Sequence, residues 1–133
     1  MTLTHLIVPD AAPAPASAKY SHAVRAGPFL YVTGQLPADP DDPAAALPEG
    51  IAAQTRLSFK NLERILAQAG FDFADTVFAR IYLTDFERDY AGMNEVFFEY
   101  FPDEARLPGR TTVGVAALAR DALVEIDLVL YRA

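Results

Sequence analysis

The sequence predicts an α+β domain, with six strands and two helices in the order β-β-β-α-β-α-β-β and both helices on one side of the sheet. Three observations predict it. Apolar residues recur at helical spacing in two stretches, 51–69 and 86–101. Runs at 76–84, 110–117 and 122–131 alternate with the period of a strand. Short apolar runs near the N-terminus are separated by Gly and Pro, the punctuation of turns. A helix with one apolar stripe and a sheet with one apolar face bury those surfaces on each other, which gives a two-layer sandwich. At 133 residues the chain reads as one domain, 1–133, near the commonest domain size. A chain of that length hides roughly two-thirds of its unfolded surface.

Each element has a local reason. Leu3 to Val8 reads as a first strand, and 10–18, rich in Ala and Pro, as an irregular extended segment. Ser21 to Arg25 and Phe29 to Thr33 flank Ala26-Gly27-Pro28 and form a hairpin, with Gly34-Gln35 ending its second strand. Pro37 to Gly50 holds four prolines and four acidic residues. It reads as a surface loop, of a length that is functional or mobile in a compact domain. In the first helix Ile51, Ala52, Thr55, Phe59, Leu62, Leu66 and Ala69 share a stripe, and Gly70 sits where a left-handed residue ends a helix. Thr76 to Thr84 places Val77, Ala79, Ile81 and Leu83 on one strand face. The second helix aligns Tyr90, Met93, Phe97 and Phe101 and stops before Pro102. In the last strand Ala122, Val124, Ile126, Leu128 and Leu130 form a core face. The opposite face carries Leu123, Glu125, Asp127, Val129 and Tyr131, a mixture that suits a subunit contact or a site. Two helices cannot cover both faces of such a sheet, so the second face is polar or covered by another subunit.

Composition removes several classes of function. There is no cysteine, which excludes disulfides, thiolate chemistry and Cys-based zinc sites. His5 and His22 are the only histidines. They lack H-x-x-x-H spacing, give no metal site, and read as surface residues. No run approaches the ~18 apolar residues of a membrane span, and the opening lacks the basic start of a secretory signal. The expectation is a cytoplasmic protein without membrane contact. The net charge of −7 and the scattering of the arginines argue against nucleic acid, which selects clustered Lys and Arg. The apolar share of 52% lies slightly above the usual range, an excess that a core or a subunit interface can absorb. No G-x-G-x-x-G, P-loop or G-x-S-x-G occurs, so phosphate cradles and serine elbows have no support.

Few chemical groups remain. Arg110 enters a strand from the turn Leu107-Pro108-Gly109, and its planar fork of donors matches a carboxylate. Thr112 lies on the same face two residues on. Glu125, in an apolar strand, is a half-buried carboxylate that can hold or deprotonate a water. The competing reading pairs Arg110 with Glu125 or Asp127 in a neighbouring strand as a structural ion pair. Asp127 reads as a solvent or interface residue. Asn94 borders the apolar stripe of the second helix; its amide serves a ligand or bonds a nearby loop backbone. Tyr20 offers a phenol and an apolar plate. Thr33-Gly34-Gln35 is a strand-ending turn in which glycine admits close backbone approach.

In their order and spacing, these residues resemble the Rid family, also called the YjgF or reactive-intermediate deaminase family. The resemblance runs from about Ala12 to Tyr131. It rests on Tyr20-Ser21-His22-Ala23-Val24, on Phe29 to Pro37 around Thr33-Gly34-Gln35, and on Ala53-Gln54-Thr55-Arg56 leading to Asn61-Leu62. Met93-Asn94-Glu95-Val96-Phe97, Pro108 to Val113 and Leu123 to Asp127 complete it. The resemblance implies a chorismate-mutase-like fold, a homotrimer with clefts between subunits, and no metal or organic cofactor. It implies hydrolysis of enamines and imines such as 2-aminoacrylate or 2-iminobutyrate to 2-keto acids and ammonia. Arg110 would then bind the substrate carboxylate and Glu125 would orient the water. Tyr20, Thr33, Gly34, Asn94 and Thr112 would line the pocket, Tyr20 from the adjacent subunit. The chain departs from the family pattern at Ala18-Lys19, Thr33, Thr112 and Ala119, where Gly-Pro, serine, cysteine and proline are usual. These departures imply a divergent subgroup. They also keep open a non-catalytic module that binds a small 2-keto acid, and a ribonuclease or translation inhibitor as attributed to some relatives.

Overall fold

A computed structural model describes residues 2–15 and 17–133. Six strands form one sheet: β1 Leu3–Leu6, β2 Ala23–Ala26, β3 Phe29–Gln35, β4 Thr76–Leu83, β5 Gly109–Gly114 and β6 Val124–Tyr131. Their spatial order is β1-β2-β3-β6-β4-β5. Neighbours run antiparallel except β4 and β5, which are parallel. The helices are α1, Ile51–Ala69, and α2, Phe86–Tyr100. α2 is the crossover that parallel pairing of β4 and β5 requires.

Both helices lie on one face of the sheet. Leu30 and Val32 of β3, Ala79, Ile81 and Leu83 of β4, and Val124, Ile126, Leu128 and Leu130 of β6 are buried there. They meet Phe59, Leu62, Ile65 and Leu66 of α1 and Met93, Val96 and Phe97 of α2 in one apolar cluster. Phe59 anchors it, stacked on Tyr100 with ring centroids 4.3 Å apart. Truncating such a side chain to alanine costs about 3–5 kcal/mol.

The helix ends follow local chemistry. Gly70 adopts φ +79°, a conformation glycine takes without steric penalty. The Gly70 N–H donates to the Ala67 carbonyl and the Phe71 N–H to that of Leu66, which satisfies two carbonyls left over at the helix end. The Asp85 carboxylate accepts from the Arg88 N–H at the start of α2.

Several expectations need correction. β1 stops at Leu6, and Val8 turns into the core instead of extending the strand. The cause is His22, which is buried rather than exposed. Its Nδ1 accepts from the Val8 N–H at 2.8 Å, and its Nε2–H donates to the Ala12 carbonyl at 2.8 Å. Val77 lies outside the core, because a register shift between Thr76 and Phe78 turns Thr76 inward instead. β5 ends at Gly114, short of the Ala117 expected from alternation. Tyr90 stands at the margin of the α2 stripe, more than a third exposed.

The acidic loop is fastened to the body. Asp41 meets Arg64 at 2.8 Å and Lys60 at 3.0 Å, and these two cations, Arg64 foremost, hold its carboxyl down at about 2. Arg120 donates to the Pro43 and Ala45 carbonyls from the other side. Beneath the loop, the fully buried Asn61 accepts from the Ala12 N–H and donates to the Ala38 carbonyl, both at 2.7 Å. One amide on α1 thus ties down the segments on both sides of the hairpin. Asn61→Ala leaves two buried backbone groups unpaired and is expected to lower stability by about 2–4 kcal/mol, read as a lower urea midpoint at unchanged slope.

Candidate active site

The sheet register separates the candidate residues into two clusters on opposite faces. Arg110 lies beside Ala79 and Thr112 beside Ile81, both core positions of β4. Their side chains therefore project toward the helix face. Glu125 lies opposite Tyr82, and Asp127 opposite Arg80, on the face that carries no helix. β4 stands between β5 and β6. The sequence-based picture of Arg110 with a carboxylate beside it on the next strand is thus corrected within one copy of the chain.

On the helix side, Arg110 has no acidic partner within ion-pair distance among the described residues. Its Nη2 donates to the Tyr90 hydroxyl at 3.1 Å. Its guanidinium carbon sits 4.8 Å from the Phe97 ring centroid and 5.7 Å from that of Tyr90. Cation–π contacts of this kind contribute about 0.5–2 kcal/mol each and leave the positive charge unneutralised. Asn94 follows Tyr90 by four residues and so lies on the same side of α2. Its Oδ1 and the Thr112 Oγ1 are buried and have no hydrogen-bond partner among the described residues. The alternative of a loop-backbone bond to the Asn94 oxygen is therefore absent. Two unsatisfied buried oxygens near a free cation call for a ligand or water.

On the open face, the two carboxylates have different fates. Asp127 accepts from Arg80 Nε at 2.8 Å and from the Tyr82 hydroxyl at 3.1 Å. It is buried and partnered within the sheet, which removes the solvent part of the solvent-or-interface expectation. No side chain of the described residues hydrogen-bonds to Glu125. Burial, and secondarily the charge of Asp127, push the Glu125 carboxyl above the usual range. The chain reaches Glu125 closely only because residue 34 is glycine. A Cβ there would lie 2.9 Å from the Glu125 carboxyl carbon and closer still to its Oε2. The β3–β6 register is irregular between Val32 and Gln35, which sets this turn. Burial, then the charge of Glu125, also raise the Tyr20 phenol.

Tyr20, His22, Gly34, Gln35 and Arg120 line a cavity of about 500 Å³ beside this cluster. The Thr33 hydroxyl donates to the Ser21 carbonyl at 2.7 Å, so it braces the approach to Tyr20. Among the described residues no group of three or more His, Asp or Glu is placed to hold a metal, and no helix is long and apolar enough to cross a membrane. Sequence reasoning missed Tyr90 and Phe97 as partners of Arg110. The one available signal was the spacing of four from Tyr90 to Asn94.

Fold and clusters together define a two-layer α+β protein with an unneutralised arginine at one sheet edge and a half-buried carboxylate on the bare face. The chain belongs to the family described as endoribonuclease L-PSP, the YjgF/Rid family, which it matches over residues 10–131. It is 37% identical over 126 residues to the 3-aminoacrylate deaminase RutC of Acinetobacter baylyi, covering 95% of this chain and 96% of that protein. RidA from the Antarctic bacterium Psychrobacter sp. PAMC 21119 superposes with a TM-score of 0.86 at 36% identity, over 97% of this chain and 99% of that one. E. coli TdcF with bound serine superposes at 0.87 and 28% identity, over 98% and 99%.

The raised Glu125 carboxyl gives a stability signature. In the folded state it binds its proton more tightly than in the unfolded chain. Folding is therefore favoured by protonation, and stability falls as pH rises through the folded-state value. Glu125→Gln removes this dependence. Relative to the parent, the variant is expected to gain stability above the usual carboxylate range and to lose that gain below it. Urea titrations at pH 4 and pH 8 check the sign.

Proposed function

We propose that this chain hydrolyses small carboxylate-bearing enamines and imines, of the 2-aminoacrylate or 2-iminobutyrate type, to 2-keto acids and ammonia. The observation that carries the reading is Arg110, a partly buried guanidinium held by two aromatic rings and a phenol, without a countercharge. Such a group grips a carboxylate bidentately, worth about 1.5–3 kcal/mol. The relatives agree in chemistry: one is named for deaminating 3-aminoacrylate, and another was solved with serine, itself a small carboxylate.

The reaction needs little beyond positioning. The enamine tautomerises to an imine, whose carbon is electrophilic once the nitrogen is protonated. Water adds to that carbon and gives its proton to the Glu125 carboxylate. Burial raises that group's basicity toward what a general base at neutral pH requires. That proton passes from Glu125 to the nitrogen, the C–N bond breaks, and ammonia departs as the hydroxyl returns its remaining proton to Glu125 and becomes the carbonyl. The free oxygens of Asn94 and Thr112 accept from the substrate N–H groups. Thr112 supplies a hydroxyl where the family commonly has a thiol. Tyr20 and the Gly34 backbone close the water side.

Arg110 and Glu125 leave opposite faces of one sheet, so the complete site takes Arg110 from one copy and Glu125 from another. The bare face carries the means for that contact. Tyr31 and Tyr131 are 50% and 45% exposed beside Phe29, an aromatic patch suited to a subunit interface. A closed homotrimer satisfies the requirement in three equivalent clefts.

A 2-keto acid binding module remains the second reading, favoured by the serine-bound relative, and would show keto-acid binding in calorimetry without imine hydrolysis. A ribonuclease is disfavoured by charge. Arg56, Arg64, Arg80, Arg88 and Arg132 are all tied to carboxylates on a chain of net charge −7.

Arg110→Ala and Glu125→Gln should each abolish ammonia release from enzymatically generated 2-aminoacrylate. Mixing the two inactive variants during refolding should restore activity at about a quarter of the clefts, those pairing an intact Arg110 with an intact Glu125. Full activity in Arg110→Ala removes the proposal, and no recovery on mixing removes the shared cleft.

A further inference from the structure

We infer that Tyr90 is the positioning residue for Arg110, and that it thereby sets the grip on the acid end of the substrate; this rests on the function proposed above. Among the described residues two side chains, Phe97 and Tyr90, make three contacts with the guanidinium. Phe97 offers a ring face at 4.8 Å, and Tyr90 offers both a ring at 5.7 Å and a hydroxyl at 3.1 Å from Nη2. Tyr90 is itself held in place. Phe86, one turn earlier on α2, stacks on it with centroids 4.7 Å apart and planes 22° apart. Phe86 in turn packs against β5, where a Cβ at Gly114 would lie 3.4 Å from its own Cβ. The strand carrying Arg110 and the helix carrying Asn94 are thus joined through Phe86 and Tyr90.

The chemistry of the contact is what matters. Aromatic faces attract a cation but fix its in-plane rotation weakly. A carboxylate would fix it but would also neutralise it. A phenol oxygen is a neutral acceptor. It takes one of the five N–H donors of the guanidinium, fixes the plane, and leaves the charge and the remaining donors to the ligand. This role belongs to the hydroxyl alone, so Tyr90→Phe isolates it while keeping the ring and its stack. Tyr90 is more than a third exposed, and the phenylalanine ring fits the same space.

The test uses the full-length protein and two independent measurements. The first is the 15N side-chain spectrum of Arg110, where hindered rotation of the guanidinium gives separate Nη signals. The second is steady-state deamination of 2-aminoacrylate with calorimetric binding of 2-oxobutyrate. In Tyr90→Phe the hindered-rotation signature is expected to vanish. KM and the keto-acid Kd should rise together by about tenfold, with kcat within about twofold and an unchanged melting temperature. Phe86→Ala, which keeps the phenol but loosens it, should give a smaller shift in the same direction. An Arg110 spectrum unaltered in Tyr90→Phe overturns the inference, and so does a fall in kcat at constant KM. A parent that neither binds 2-oxobutyrate nor releases ammonia, yet loses the Arg110 signature in Tyr90→Phe, overturns the proposed function and leaves the positioning role standing.

Discussion

A guanidinium held without a countercharge is the constraint around which the rest is arranged. Several other arginines of this chain meet acids: Arg80 with Asp127, Arg88 with Asp89, Arg132 with Asp72 and Asp75. Those pairs satisfy the protein and leave nothing to offer. Arg110 sits on the edge strand β5, where among the described residues the only neighbouring strand is β4 and the facing helix presents rings rather than carboxylates to it. Aromatic rings and a phenol stabilise the cation without discharging it. Under the proposed function, the carboxylate of the substrate completes it.

The same logic separates the two carboxylates of β6. Asp127 is matched by Arg80 and Tyr82, and such a partnered acid braces the sheet. Glu125, two residues earlier on the same face, receives no such bond and is raised by burial. The sequence shows two acids in equivalent positions. What distinguishes them is the cross-strand neighbour: Arg80 opposite one, Tyr82 opposite the other. One pairing neutralises and the other merely covers.

The irregular segments are structural parts of the candidate site. His22 and Asn61 convert the Ala-Pro stretch and the acidic loop into fixed walls by bonding backbone groups that have no strand partner. Polar side chains at 5% and 0% exposure are there because buried amides and carbonyls must be paired. Tyr20 and Gly34 meet Glu125 across those walls, and the absent side chain at residue 34 sets how near the carboxyl can come.

The sequence by itself determined the element order, both helices to within a residue, the core face of β6, and the family. These follow from local periodicity and from glycine and proline signals, which need no knowledge of distant neighbours. Arg110, Glu125, Asn94 and Gly34 were also legible as chemical candidates by residue type. Only the tertiary structure decided which of them share a face. β6 inserts between β3 and β4, and β4 separates β5 from β6, so neither β3 and β4 nor β5 and β6, each consecutive in sequence, are adjacent in space. That topology, with its register, puts Arg110 and Glu125 on opposite sides of the sheet. It also buries His22, turns Val77 out through a register shift, and brings Tyr90 to the guanidinium. Long-range pairing sets each of these outcomes, and no short-range pattern encodes it.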